Sequence, residues 1–180
     1  MISGLSKSVF AIEKDWPNLF QLLLQLAQNP NEALRSLNYT ILEQLCEHIG
    51  DHLKKHTSTL SQMFIAGCQD ASTTVAVDAM NAAANYFKFL VDQPSEQGPE
   101  IMQMESVIVP MLVVMQGCLQ RGDENIVAEG LVVFQECCNM DQPLINNHLE
   151  VSIYVLCSCF VGVYRCLYVS IYMYSCIYLI

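Results

Sequence analysis

The strongest constraint on this chain is a recurrence. Apolar side chains spaced three and four apart trace a pair of helical stripes, and the pair returns further down the sequence. In the first pair, Trp16-Pro17 opens a helix at a position where the missing proline N–H costs no bond, and Leu19, Leu22, Leu23 and Leu26 carry it to Gln28. Asn29-Pro30-Asn31 breaks it. A second helix follows from about Glu32 to Ile49, with Leu34, Leu37, Ile41, Leu45 and Ile49 on one face and Ser36, Thr40, Glu43 and Glu47 on the other. Gly50 is its predicted C-terminal stop.

An offset of 41 residues places Leu19 on Leu60, Leu22 on Met63, Leu23 on Phe64, Ala27 on Cys68 and Leu34 on Val75. The second hairpin therefore spans about Thr57–Gln69 and Ser72–Leu90, with Asp70-Ala71-Ser72 supplying cap oxygens at its turn. A further offset of 52 places Leu60 on Leu112, Met63 on Met115, Val75 on Val127 and Ala79 on Leu131, the polar loop Asp92–Pro99 absorbing the excess. This third hairpin carries Pro110 inside its first helix, which predicts a kink there. Gly122-Asp123 is its predicted turn, and its second helix runs from about Glu124 to Asn139. Strict two-residue alternation is absent, so the body reads as all-α. Hairpins repeating every 40–47 residues or so indicate an α-α superhelix of HEAT/armadillo type, whereas tetratricopeptide repeats need a period of about 34. The expected organisation is the end of a preceding repeat helix at 1–15, repeats at 16–50, 56–91 and 100–139, the start of a further repeat at 143–156, and an aberrant hydrophobic tail at 157–180.

Charge divides the chain unevenly. All 18 acidic residues lie in residues 1–150, against 7 basic residues there, so the body carries a net −11. That balance argues against nucleic acid as a partner, because neutralising phosphates takes a dense Lys/Arg surface, and it favours a basic partner. The last 30 residues hold one charge, Arg165, and 24 hydrophobic side chains. They are long enough to cross a bilayer, which makes a tail-anchored membrane protein one reading. Against an anchor, Arg165 sits mid-stretch and six tyrosines (154, 164, 168, 172, 174 and 178) are spread along it instead of gathering at its ends. The narrow Tyr/Cys/Ile/Val/Ser alphabet reads better as translated non-coding sequence, and the segment is β-prone and prone to aggregate.

Nine cysteines, odd in number and irregular in spacing, make a poor disulfide framework and point to reduced thiols in a cytosolic or nuclear setting. The first 15 residues place Ile2, Leu5, Val9 and Ile12 at helical spacing and read as a helix, not as a signal peptide. His48, His52 and His56 stand four apart, but Gly50 is expected to end the helix between them, so no metal site is assigned. The adjacent Cys137 and Cys138 read as small core residues. No nucleophile, base and orienting group fall together, and no glycine-rich phosphate loop is present, so neither catalysis nor a cofactor is expected.

The segments AIEKDWPNLFQLLLQLAQ, LNYTILEQLCEHIGDHLKKH and IVPMLVVMQGCLQRGDENIVAEGLVVFQECCNMDQPLINNHL resemble the importin-β (karyopherin-β) nuclear transport receptors, most closely the importin-four branch. The resemblance covers roughly residues 1–150 and is similar to the interior of the receptors' N-terminal arch. It departs from the family at Ala76, where an Arg or Lys often follows the valine of the second helix. The resemblance implies a receptor that moves between cytoplasm and nucleus, carries basic cargo proteins and meets nucleoporins, with the Ran GTPase displacing cargo. It also implies that the second helices of the hairpins line a concave face. On those helices Glu43 and Glu47, then Asp78, Asn81 and Asn85, then Glu129 and Glu136 each share a face. Aligned by stacking, such carboxylates and amides would accept hydrogen bonds from the Lys and Arg side chains of a basic segment. A general HEAT scaffold joining other proteins is the alternative.

Overall fold

The computed structural model describes residues 17–92, 98–123, 125–128 and 130–131. Every regular element among them is helical. In order they are α1 (Pro17–Ala27), α2 (Glu32–Leu53), a 3-10 turn (Lys54–His56), α3 (Thr57–Cys68), α4 (Thr73–Val91), the short α5 (Pro99–Gln103), a second 3-10 turn (Glu105–Val107) and α6 (Ile108–Arg121). Expected residues 1–15, the tail at 157–180, Cys137, Cys138 and the start of a fourth hairpin lie outside the described residues.

Tertiary contacts divide the chain into two units, Met1–Val107 and Ile108–Ile180, and the division falls inside the predicted third repeat. In the first unit α1 packs on α2, α3 packs on α4, and α2 lies along α4. Two hairpins are thus joined through their second helices. Leu19 and Leu23 of α1 and their counterparts Leu60 and Phe64 of α3 are buried, as the 41-residue offset requires. Leu22 breaks the correspondence, standing 46% exposed where Met63 is buried.

The breaks follow local chemistry. Asn31 caps α2, its side-chain oxygen accepting from the Ala33 N–H at 3.0 Å. Ser72 caps α4 by accepting from the Val75 N–H at 3.4 Å, while the Asp70 carboxylate accepts from the Ser72 N–H at 2.8 Å. In the second unit, α6 ends in a Schellman motif. Gly122 adopts φ 84°, its N–H bonds to the Leu119 carbonyl, and the Asp123 N–H bonds to the Cys118 carbonyl, each at 3.0 Å. Helical backbone resumes at Asn125, and a Cβ added to Gly130 would meet the Met115 sulfur at 2.9 Å, so the second helix of this hairpin closes onto α6.

Three expectations are corrected. The break expected at Gly50 is present but is a kink and not an end: Ile49 leaves helical geometry (φ −136°, ψ 25°), and a further helical stretch continues to Leu53. Glycine is needed there for space, because a Cβ on Gly50 would collide with the ring of Phe89 from α4. Leu37 is 44% exposed and Leu34 only half-buried, whereas Asn38, Tyr39 and Leu42 are buried with Ile41, Leu45 and Ile49. The buried face of α2 is therefore rotated from the predicted one, because α2 is covered by both α1 and α4. Pro110, finally, makes no mid-helix kink. The interruption lies at Met104–Val107, and Pro110 occupies the first turn of α6, where no intrahelical N–H bond is forfeited.

One described stretch, Pro99–Arg121, has the length and mean hydropathy (1.5) of a membrane span. It is half buried and broken into α5, a 3-10 turn and α6, and Leu112 and Met115 within it occupy the core positions that Leu60 and Met63 hold in the preceding hairpin. Those properties fit a repeat core.

Candidate functional site: the paired second helices

The polar stripes of α2 and α4 meet in a series of cross-helix bonds. The Ser36 hydroxyl donates to the Asp78 carboxylate at 2.5 Å, and the Asn85 amide donates to Glu43 Oε1 at 3.1 Å, each pair being 42 residues apart. The same Asn85 Nδ2 also reaches the Asn81 carbonyl at 3.2 Å, which holds the amide in place. Thr40, one turn beyond Ser36, donates to the Ser36 carbonyl at 3.3 Å. A one-to-one repeat step thus brings one hairpin's stripe into register with the next.

Further bonds fasten the N-terminal ends of the two helices. Arg35 grips Asp70 in a bidentate pair, Nε to Oδ2 at 2.7 Å and Nη2 to Oδ1 at 2.9 Å, with both side chains largely covered at 19% and 13% exposure. Its Nη1 also donates to the carbonyls of Asn29 and Pro30 at 2.9 and 3.1 Å, so one guanidinium ties the α1–α2 turn to the α3–α4 turn. The Arg35 hydrogen bonds hold the Asp70 carboxyl below the usual carboxylate range, and the bond from the Ser72 N–H adds to this. Ser72 donates to Glu32 Oε1 at 2.6 Å.

Among the predicted cargo-facing residues, Glu43, Asp78, Asn81 and Asn85 are half-buried on the joined helices and Glu47 is exposed one turn beyond Glu43. The structure brings Glu43 together with Asn85, and Asp78 with Ser36. Glu129 and Glu136 lie outside the described residues, so the stripe is described across two helices. The sequence offered Asp70 only as a source of cap oxygens, and its pairing with Arg35 was not foreseen. The signal was present in the repeat offset, which maps Arg35 onto Ala76, the position where a basic residue was noted as missing.

The three histidines form no common site. His56 lies in the 3-10 turn with its ring 3.8 Å from that of Phe20 at an interplanar angle of 33°, while His48 and His52 are half-buried on α2. Among the described residues no three His, Cys, Asp or Glu side chains converge on a point that could hold a metal ion. The thiols of Cys46, Cys68 and Cys118 are free and buried. Burial pushes Cys46 and Cys68 up to about 12, far from the range of a reactive thiolate.

A protein-family profile described as "IPO5-like, TPR repeats" matches residues 1–153. No curated protein and no solved structure gave a significant match. The match reaches the importin-β family but does not separate the importin-four branch from IPO5-like receptors. The repeats carry the TPR label in that description, yet the equivalent caps Asn31 and Ser72 stand 41 residues apart, a HEAT or armadillo length and longer than the period of about 34 of a tetratricopeptide repeat. With 153 of its 180 residues covered by that profile, the chain belongs to the IPO5-like repeat family of the importin-β class.

Proposed function

We propose that this chain acts without catalysis, as importin-type repeat sequence that binds basic nuclear cargo along the joined stripes of α2 and α4. The observation that carries the reading is the registered pairing of Ser36 with Asp78 and of Glu43 with Asn85. On this reading the carboxylates of Glu43, Glu47 and Asp78 and the amide of Asn81, on two adjoining helices, accept from the Lys and Arg side chains of an extended segment. The excess of acidic residues adds long-range attraction for such a segment. On this reading Glu129 and Glu136 extend the stripe onto the next repeat. Family membership supports nucleoporin contact, release of cargo by Ran, and residence in both cytoplasm and nucleus.

The test is a titration of the full chain with a fluorescent lysine- and arginine-rich peptide at low and moderate salt. Binding should weaken steeply as salt rises, and Glu47→Lys, which changes an exposed side chain, should weaken it further. Binding indifferent to both salt and the Glu47 charge would refute the reading. One observation favours a general scaffold: Asp78 and Asn85 already spend hydrogen bonds on neighbouring helices, which is what a stripe serving only to stack repeats would do. A scaffold would leave the peptide unbound.

A further inference from the structure

Asn38 lies in α2 at 0% exposure, and among the described residues neither its Oδ1 nor its Nδ2 finds a hydrogen-bond partner. The 41-residue offset that relates the caps Asn31 and Ser72 carries Asn38 onto Ala79, which is also 0% exposed. This is a core position of the repeat. In α4 it holds an apolar side chain, and in α2 it holds a primary amide.

The difference acts on opening. A buried amide without partners surrenders its bonds to water on folding and recovers them whenever the helix lifts, a bias that alanine lacks. Asparagine is also the poorer helix former of the two. Asn38 sits between the two cross-helix bonds, two residues after Ser36 and five before Glu43. We propose that Asn38 is a built-in weak point of α2, which lets that helix open locally and release the Ser36–Asp78 and Glu43–Asn85 bonds together while the α3–α4 hairpin stays closed. Repeat arrays open in contiguous units of this kind, with each unit set by its own stability and that of its neighbours.

Hydrogen exchange followed by mass spectrometry on the full chain tests this. Amides of residues 36–46 should exchange faster than those of residues 78–88. Asn38→Leu, close to asparagine in shape, and Asn38→Met, an unbranched apolar chain of similar reach, should each slow exchange in residues 36–46 by about ten- to a hundredfold. Exchange that is unchanged or faster in both Asn38 variants, as expected if an internal water satisfies the amide, overturns the proposal.

Discussion

Gly67 and Gly117 both lie inside helices, and the same substitution to alanine should change stability in opposite directions at the two. In an open helix, alanine is favoured over glycine by about 1 kcal/mol because it loses less backbone entropy. At Gly117 a new Cβ has only the end of the Arg121 side chain nearby, at 3.3 Å, and that flexible group can move aside. Gly117→Ala should therefore stabilise by up to about 1 kcal/mol. Gly67 is buried in α3, and a Cβ there would run into the hydroxyl end of Tyr39 from α2 and lie 2.6 Å from the Cβ of Ala79 in α4. Neither neighbour can yield cheaply, since Ala79 is fixed to its helix and Tyr39 is 2% exposed with its hydroxyl bonded to the Met63 carbonyl at 2.9 Å. Overpacking at about 1–3 kcal/mol, with about 1 more for the strained Tyr39 bond and about 1 returned as helix propensity, leaves a net loss of about 1–3 kcal/mol. Urea unfolding followed by circular dichroism should show the midpoint of Gly67→Ala falling by about 0.5–1.5 M for a slope near 2 kcal/mol per molar. The midpoint of Gly117→Ala should stay level or rise. A Gly67→Ala protein as stable as the parent would show that α2, α3 and α4 do not meet as closely as described.

Tyr39→Phe keeps the ring but removes the hydroxyl bonded to Met63, and should cost about 1 kcal/mol in the same assay. The lowered Asp70 carboxyl gives the Arg35 pair a defined pH signature. Its stabilisation is complete above the unfolded carboxyl value of about 4 and is lost as pH falls through the lower folded value, so parent and Asp70→Asn midpoints should converge below about pH 4. A constant gap down to pH 2 would contradict the assignment. Cys46 and Cys68, pushed up to about 12 by burial, should resist iodoacetamide at pH 8 in the folded protein and react after addition of urea, as peptide mapping would show.

What the sequence disclosed depended on how local the deciding physics was. Asn31, Ser72 and Gly122 act within their own turns, by side-chain capping or by a left-handed backbone, and each was legible as a boundary. Gly50 carries the same letter as Gly122 but serves another helix, since its bare Cα makes room for Phe89, 39 positions away. Periodicity found α2 but misjudged its buried side at Leu37, because a helix covered by two partners hides a broader arc than one stripe describes. Glu43, Asp78 and Asn85 were legible as members of polar faces through their three- and four-residue spacing. Their partners were not, since the identity of Ser36 as the donor to Asp78 depends on how far one helix slides along the other. Arg35 was overlooked for the related reason that its carboxylate comes from the following turn.

The described side-chain bonds of the first unit also have a characteristic reach. Tyr39 to Met63 spans 24 residues, Thr57 to Tyr86 spans 29, Arg35 to Asp70 spans 35, and the two cross-helix bonds span 42. The Thr57–Tyr86 bond stays within the second hairpin, and the other four join that hairpin to the first. Contact order is consequently set by the length of one repeat and does not grow with the number of repeats stacked, so each hairpin can dock as soon as its neighbour exists. A lesion such as Gly67→Ala should then fade within one repeat in either direction, and lengthening such an array should add stability without slowing the docking step.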